Sequence, residues 1–82
     1  MDKRHNIQNI DFNGRLMTLS VDDQSYRLDV SLVSKRLATA SDAARKLYHV
    51  SPSGYGIHWP EVDEDLTVDG LVRIAMSQRL AA

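Results

Sequence analysis

The sequence contains no cysteine in its 82 residues. A disulfide framework and a thiolate metal site are therefore excluded, and stability has to come from buried apolar side chains. Since the hydrophobic share of 43% is ordinary for a compact domain, we predict one domain over residues 1–82, near the lower size limit for folding without a covalent staple. A homo-oligomer would add buried area, although no motif specifies one. The lack of cysteine fits a reducing cytoplasm.

Long apolar runs are also missing. Residues 1–6 are polar and no such run follows them, so we expect neither a signal peptide nor a transmembrane helix, a cytoplasmic location and no membrane partner. The net charge of −1 gives no general attraction to nucleic acid. Residues 1–49 carry eight Lys/Arg against six Asp/Glu, whereas residues 50–82 carry two against five. The second part of the chain is therefore acidic.

The first thirty residues alternate apolar and polar side chains in three segments, which predicts an antiparallel three-stranded meander. Asn13-Gly14 separates the first two segments and favours a type I′ hairpin turn, because glycine and asparagine tolerate positive φ. Residues 22–24 predict the second turn. The apolar positions of the alternation are Ile10, Phe12, Met17, Leu19, Val21, Tyr26, Leu28 and Val30.

Two short helices are predicted next, with Ser31 and Ser41 as their N-caps. Their apolar stripes consist of Leu32, Val33, Leu37 and Ala40 in the first helix and of Ala44, Leu47 and Tyr48 in the second. Arg45 and Lys46 are expected to face away from the second stripe. These helices would cover the apolar face of the meander.

Residues 49–59 predict a second hairpin, because Ser51-Pro52-Ser53-Gly54 has the residue types of a tight turn. Its outgoing strand is expected to place Tyr55, Ile57 and Trp59 on one face and Gly56 and His58 on the other. Pro60 should end this strand, since it has no amide hydrogen to donate.

Thr67 is predicted to cap a last helix with a buried stripe of Val68, Leu71, Val72 and Ala75. The tail, residues 78–82, is expected to fray. The predicted fold is therefore α+β, with elements in the order β-β-β-α-α-β-β-α.

Residues 55–65 join the only tryptophan and Pro60 to four carboxylates, Glu61, Asp63, Glu64 and Asp65. One interpretation is structural, because acidic side chains stabilise the amino-terminal end of a helix. The other is functional, because an acidic patch can dock a basic partner. The two interpretations are compatible.

The same region resembles a small bacterial family, the domain of unknown function numbered 2442. The residues that carry the resemblance are Gly54–Pro60, Asp63–Leu66, Val68 and Leu71, with Leu37–Ser41, Arg45 and Leu28–Val30 upstream. It extends over roughly residues 7–75. The resemblance implies a small α+β fold and, in many members, a neighbouring gene for another small protein, in pairs that look like toxin–antitoxin modules. Some members have a helix-turn-helix domain after this one, so we expect no DNA binding of that kind from residues 1–82.

Other functions have weaker signals. His58 could act as a general base, but no activated-serine motif accompanies it, so we expect no enzyme. His58, Asp63 and Asp65 could bind a divalent ion in a metal-dependent enzyme, yet their spacing matches no known metal loop, so we expect no metal and no cofactor. A nucleic-acid-binding regulator would use the basic helix residues Lys35, Arg36, Arg45 and Lys46. These residues do not form the strongly basic stripe that is typical of a duplex-binding domain.

The sequence therefore predicts a non-enzymatic protein-interaction module, antitoxin-like, with a small protein as partner. The predicted contact residues are His58, Glu61, Asp63, Glu64 and Asp65. The residues expected to support them structurally are Trp59, Pro60, Gly54 and Gly56. A transcription-linked nucleic-acid binder is the alternative, although nucleic-acid binding is not expected of this domain alone.

Overall fold

The computed structural model, which describes residues 5–81 and side chains as far as Ser77 in the last helix, contains two antiparallel three-stranded sheets and three α-helices. The elements are β1 (Ile7–Asn13), β2 (Leu16–Val21), β3 (Gln24–Asp29), a 3₁₀ turn (Val30–Leu32), α1 (Lys35–Ala38), α2 (Asp42–Lys46), β4 (His49–Val50), β5 (Gly56–Trp59), β6 (Glu64–Thr67) and α3 (Val68–Ala81). The predicted α+β class and the order of elements are confirmed. β6 is one strand more than the pattern indicated.

The first sheet, in the order β1-β2-β3, depends on two tight turns. The β1–β2 loop is Gly14–Arg15, because Asn13 pairs with Leu16. Only its first residue has positive φ, 61°, which is the type II′ pattern. The predicted hairpin is present, but the type I′ turn at Asn13-Gly14 is wrong by one residue. The β2–β3 loop, Asp22–Asp23, has the type I′ pattern, with φ of 50° and 67°, since aspartate tolerates the left-handed region.

The inward faces of both sheets share one apolar core with α3. Its buried members are Phe12, Met17, Leu19, Val21, Leu28, Val30, Leu37, Ile57, Trp59, Val68, Leu71 and Ala75. The faces predicted for the meander and for the last helix are thereby confirmed, with Ile10, Tyr26 and Val72 packed at the edge of the core. Because α3 contacts both β3 and β6, it covers part of each sheet.

Helix capping follows the prediction at two positions and departs from it at one. Ser41 and Thr67 each accept, through the side-chain oxygen, the amide three residues further on, at 3.1 and 3.0 Å. The predicted cap at Ser31 is wrong, because Asp29 caps the 3₁₀ turn and Ser34 caps α1. The Ser31 amide donates to the Asp29 carboxylate at 2.9 Å and lowers the pKa of that carboxyl.

Leu32 and Leu47, both predicted to be buried, are 56% and 54% exposed. The helical register behind the first prediction is broken, because the 3₁₀ turn ends at Leu32 and α1 starts again at Lys35. Leu47 follows the end of α2 as its C-cap, with an extended backbone, so it leaves the stripe of that helix.

Trp59 joins the second sheet to the first. Its side chain is fully buried, which confirms the core position predicted for it. The indole Nε1–H donates to the carbonyl oxygen of Arg45 at 3.0 Å. Its ring meets Phe12 of β1 edge-on, with centroids 6.5 Å apart, and lies 6.5 Å from the ring of Tyr48. Trp59 therefore holds the second sheet against β1 and α2, together with the other core side chains of that sheet.

β6 is the strand that the sequence pattern does not predict. Trp59 pairs with Glu64 and Ile57 with Leu66, so the second sheet has the order β4-β5-β6. Charged residues are depleted in strands, which is why the sequence alone indicates that Asp63–Asp65 is an acidic lead into the last helix. That interpretation is wrong for Glu64 and Asp65. β6 is an edge strand, where charged side chains are common because they discourage pairing with other chains.

α3 continues to Ala81. The predicted fraying of residues 78–82 stays a prediction, and Ala82 lies outside the described residues. None of the helices within residues 5–81 is long and apolar enough to span a bilayer.

Gly54 is the glycine whose missing side chain matters most. Its φ is +71°, and an added Cβ would lie 2.0 Å from the backbone oxygen of His5. His5 also donates its amide to the carbonyl of Ser53 at 3.0 Å. Residues 5 and 6, which are the segment before β1, are therefore held on this turn through His5.

We predict that Gly54→Ala lowers the free energy of unfolding by about 3 kcal/mol, because backbone strain and a backbone clash add together. Gly14→Ala is the matched control, since Gly14 also has positive φ (+61°) but no atom within 4 Å of the position that an added methyl group would take. It should cost about 1 kcal/mol. Urea denaturation of both variants checks this, and equal losses would contradict the packing of His5 on Gly54.

Candidate interaction surface

The outer face of the second sheet carries a row of three polar side chains. His58 pairs with His49 on β4 and with Asp65 on β6, so cross-strand pairing places all three on one face. His58 Nδ1 lies 2.8 Å from Asp65 Oδ1, with side chains 40% and 77% exposed. A polar contact this exposed contributes little to stability. Both side chains can therefore rearrange to meet a partner.

A cavity of about 450 Å³ lies on the same face. The cavity, which we call the sheet-2 pocket, is lined by His49, Val50, Ser51, Pro52, Tyr55, Gly56, Ile57, His58, Asp65, Leu66 and Thr67. The lining is mostly carbon. Gly56 has no side chain to fill the space between Ser51, whose amide it accepts, and Thr67, its partner on β6. A pocket of this size is in the range that holds a small ligand or inserted side chains.

The turn before β5 forms one end of the sheet-2 pocket. Ser51 Oγ accepts the amides of Tyr55 at 3.0 Å and Gly56 at 3.1 Å, and Gly54 takes the left-handed conformation that the turn prediction required. Tyr55 is 43% exposed. Its predicted place on the buried face is wrong, because β5 begins only at Gly56. Its ring is instead available at the pocket.

Residues 60–63 form the turn from β5 to β6 and carry two exposed carboxylates, Glu61 and Asp63. Pro60 directly follows the last residue of β5, as predicted. Asp63 takes positive φ, 52°, and its carbonyl oxygen accepts a hydrogen bond from Arg36 Nη1 at 2.6 Å. The ion pairs found among the described residues do not include either carboxylate. Arg36 thus holds the backbone of this turn, while the carboxylates of Glu61 and Asp63 are exposed to solvent.

Glu64 differs from the other predicted contact residues. It lies opposite Trp59 in the β5–β6 pair, on the inward side of the sheet. Its Oε2 accepts the hydroxyl of Ser34 at 2.5 Å, and its Oε1 accepts the Asp65 amide at 3.0 Å. Ser34 in turn caps α1 through Leu37. Glu64 therefore holds β6 to α1. Its side chain lies on the opposite face of the sheet from the side chains of His58 and Asp65.

The four basic residues of the nucleic-acid alternative do not share a surface role. Arg45 is only 6% exposed, so its predicted position on an exposed helix face is wrong. Its Nη1 donates to the carbonyls of Leu37 at 2.9 Å and Ala40 at 2.7 Å, and its Nη2 contacts Asp42 at 2.5 Å. These bonds tie α2 to the last turn of α1 and to the connection between the two helices.

Lys35, Arg36 and Lys46 are exposed, but Arg36 already donates to Asp63. The alternative therefore keeps three exposed cations in place of four, and one of these is bonded to the β5–β6 turn. The sequence contains one indication that Arg45 is buried. It lies five residues after Ala40, so its long side chain can reach back to the short connection between α1 and α2.

The residues of the catalytic and metal alternatives either lie apart from one another or already make structural hydrogen bonds. Within residues 5–81, no three His, Cys, Asp or Glu side chains form a group that could hold a metal ion. His58 and Asp65 are in contact, but Asp63 does not join them. The hydroxyl of Ser51 holds the pocket turn, and the hydroxyl of Thr67 caps α3. Both oxygens therefore have structural roles.

The family model described as Protein of unknown function (DUF2442) matches residues 7–77. The chain belongs to this family. The resemblance predicted over residues 7–75 is thereby confirmed, and the sheet-2 pocket lies wholly within the DUF2442 match. No curated protein and no solved structure matches the chain. The function of this DUF2442 chain therefore has to be argued from its own contacts and its own surface.

We predict that Arg45→Met lowers the free energy of unfolding by about 1–3 kcal/mol, because the buried hydrogen bonds from the guanidinium to the carbonyls of Leu37 and Ala40 are lost. Lys46→Met, the same substitution at the exposed neighbouring position, should change it by less than about 0.5 kcal/mol. Thermal and urea denaturation of the two variants measure the difference. A similar small loss in both variants would mean that the hydrogen bonds of Arg45 do not stabilise the packing of α1 and α2.

Proposed function

We propose that this chain is a non-enzymatic protein-interaction module that docks a basic segment of a small partner protein on the outer face of its second sheet. The observation that carries the proposal is the juxtaposition of the sheet-2 pocket with exposed carboxylates. The antitoxin-like role, with a partner encoded by the neighbouring gene, is part of the proposal and is supported by the family resemblance alone.

The pocket supports insertion of apolar side chains from the partner. Its lining is mostly carbon, and the ring of Tyr55 stands exposed at its edge beside Pro52. Exposed aromatic rings beside a concave surface are favoured at protein interfaces, where they bury large area at small entropic cost. The strand Gly56–Trp59 forms the floor, and strands hold such a surface more rigidly than loops do.

The charge around the pocket supports a basic partner. No Lys or Arg occurs between Lys46 and Arg73, a stretch that contains five Asp/Glu. Asp65 lines the pocket, and Glu61 and Asp63 add negative charge on the β5–β6 turn, where the guanidinium of Arg36 at the Asp63 carbonyl offsets part of it. Complementary charge raises the association rate and orients the partner, and salt weakens both effects.

The decisive experiment is co-expression with the protein of the adjacent gene, followed by size exclusion and calorimetry at low and high salt. We expect one co-eluting complex whose affinity falls as salt rises. Separate elution at micromolar concentration and low salt would contradict the pairing.

Asp65→Lys tests the charge of the docking surface. We expect it to weaken binding at least tenfold, about 1.4 kcal/mol, because it reverses the charge at the pocket while removing only an exposed contact with His58. Asp11→Lys, an exposed carboxylate on β1 of the other sheet, is the matched control and should leave the affinity nearly unchanged. Equal effects of the two reversals would show that net charge, and not this surface, governs binding.

Gly56→Leu tests the pocket itself. A Cβ at Gly56 would lie 3.4 Å from the carbonyl of Leu66, an ordinary contact, so the variant should fold. Its side chain should fill the sheet-2 pocket and abolish binding, whereas Gly56→Ala should bind nearly as the parent does. Calorimetry checks binding and circular dichroism checks folding. Full affinity in a folded Gly56→Leu chain would place the docking surface elsewhere.

A further inference from the structure

The imidazole of His5 is held at both nitrogens by carboxylates from two different elements. Its Nδ1 lies 2.9 Å from Asp22 Oδ2, in the β2–β3 turn, and its Nε2 lies 2.7 Å from Asp69 Oδ1, in the first turn of α3. The His5 side chain is 20% exposed. The ring therefore bridges elements that are far apart in sequence.

This double contact requires a doubly protonated ring. A neutral imidazole has one N–H donor and one acceptor nitrogen, whereas an ionised carboxylate can only accept hydrogen bonds. With a neutral ring, one carboxylate would face a nitrogen lone pair at hydrogen-bonding distance. The imidazolium form donates to both carboxylates, and both of these bonds are charge-assisted.

The backbone of His5 connects the same ring to the sheet-2 pocket. Its amide donates to the carbonyl of Ser53 at 3.0 Å, and its carbonyl oxygen occupies the space where Gly54 would carry a Cβ. This turn also contributes Ser51 and Pro52 to the pocket lining. The position of His5 is therefore coupled to one wall of the proposed docking surface.

The charged groups that face His5 in the described chain are the two carboxylates. On the β2–β3 turn, Asp22 also accepts the Asn6 amide at 2.8 Å, and the neighbouring Asp23 is hydrogen-bonded to Gln8 at 2.7 Å. On α3, the facing group is Asp69. Residues 51–54 of the pocket turn contain no titratable side chain.

We propose that His5 is a proton-operated clamp, whose imidazolium form locks the segment before β1 onto the β2–β3 turn, α3 and the pocket turn. Loss of the proton releases this segment and loosens the wall of the sheet-2 pocket. The release of this segment does not depend on the proposed function, whereas the effect of the release on docking rests on it.

The direction of the pH dependence follows from the two carboxylates. The hydrogen bond to Asp22 is the largest influence and raises the pKa of His5 above its ordinary value of 6.5; burial opposes it, and Asp69 adds to it. The stabilisation is therefore complete below pH 6.5 and is lost as the pH rises through the raised pKa.

At acid pH the same contacts are lost by another route. His5, and after it the Asn6 amide, lower the pKa of Asp22 from its ordinary 3.8. This contribution is therefore present above pH 3.8 and is lost as the pH falls through the lowered pKa.

Nitrogen NMR of the isolated full chain tests the clamp without any partner. We expect the His5 ring to stay protonated at both nitrogens beyond pH 6.5. We also expect the protection factors of the His5 and Asn6 amides, corrected for intrinsic exchange, to fall at least tenfold between pH 6 and pH 9. His5→Gln should remove this protection at both pH values, because one amide group cannot donate to two carboxylates on opposite sides.

Asp69→Asn is a second variant that keeps the test decisive if His5→Gln fails to fold. It should lower the midpoint of the His5 titration, whereas Asp23→Asn, which changes an aspartate bonded to Gln8, should not. A His5 midpoint at or below 6.5 in the parent chain, or amide protection that does not follow the His5 proton, would overturn the proposal.

Binding of the neighbouring-gene protein to the parent chain should weaken between pH 6 and pH 9, and the weakening should be absent in His5→Gln. Binding that is equally tight across this range in the parent would remove the link between the clamp and docking. A partner that never binds would defeat the proposed function, while the NMR result would still decide the clamp.

Discussion

The position of the second sheet depends on the buried indole of Trp59. Its N–H satisfies the carbonyl of Arg45, and its ring packs against Phe12 and Tyr48. A large aromatic side chain with a satisfied polar atom contributes both buried area and a fixed orientation. Arg45 is itself clasped to the end of α1. One continuous set of contacts thus holds β5 to β1 and to both short helices.

This anchoring decides which carboxylates are structural and which are free. Side chains alternate along β5 and β6, so the face that presents Trp59 inward also turns Glu64 toward Ser34. The opposite face carries His58 and Asp65 outward, beside the pocket above Gly56. A single acidic run in the sequence is therefore divided between a contact with the residue that caps α1 and an exposed surface.

Much of the fold was predictable, because alternation and turn chemistry are local. The meander, the core position of Trp59 and the caps at Ser41 and Thr67 needed no tertiary information. β6 and the burial of Arg45 did need it. The acidic edge strand forms because it pairs with β5, and the guanidinium of Arg45 is buried because backbone carbonyls accept its hydrogen bonds. The surface was predictable in its charge but not in its pocket, which depends on Tyr55 leaving the strand and on Gly56 having no side chain.

Chemical-shift mapping of the labelled chain with the neighbouring-gene protein tests the central claim most directly. The account predicts that backbone shifts concentrate in residues 49–58 and 61–67, while the Trp59 indole N–H, on the far side of the sheet, changes little. Shifts centred on the outward residues of β1–β3, with the second sheet unperturbed, would contradict it.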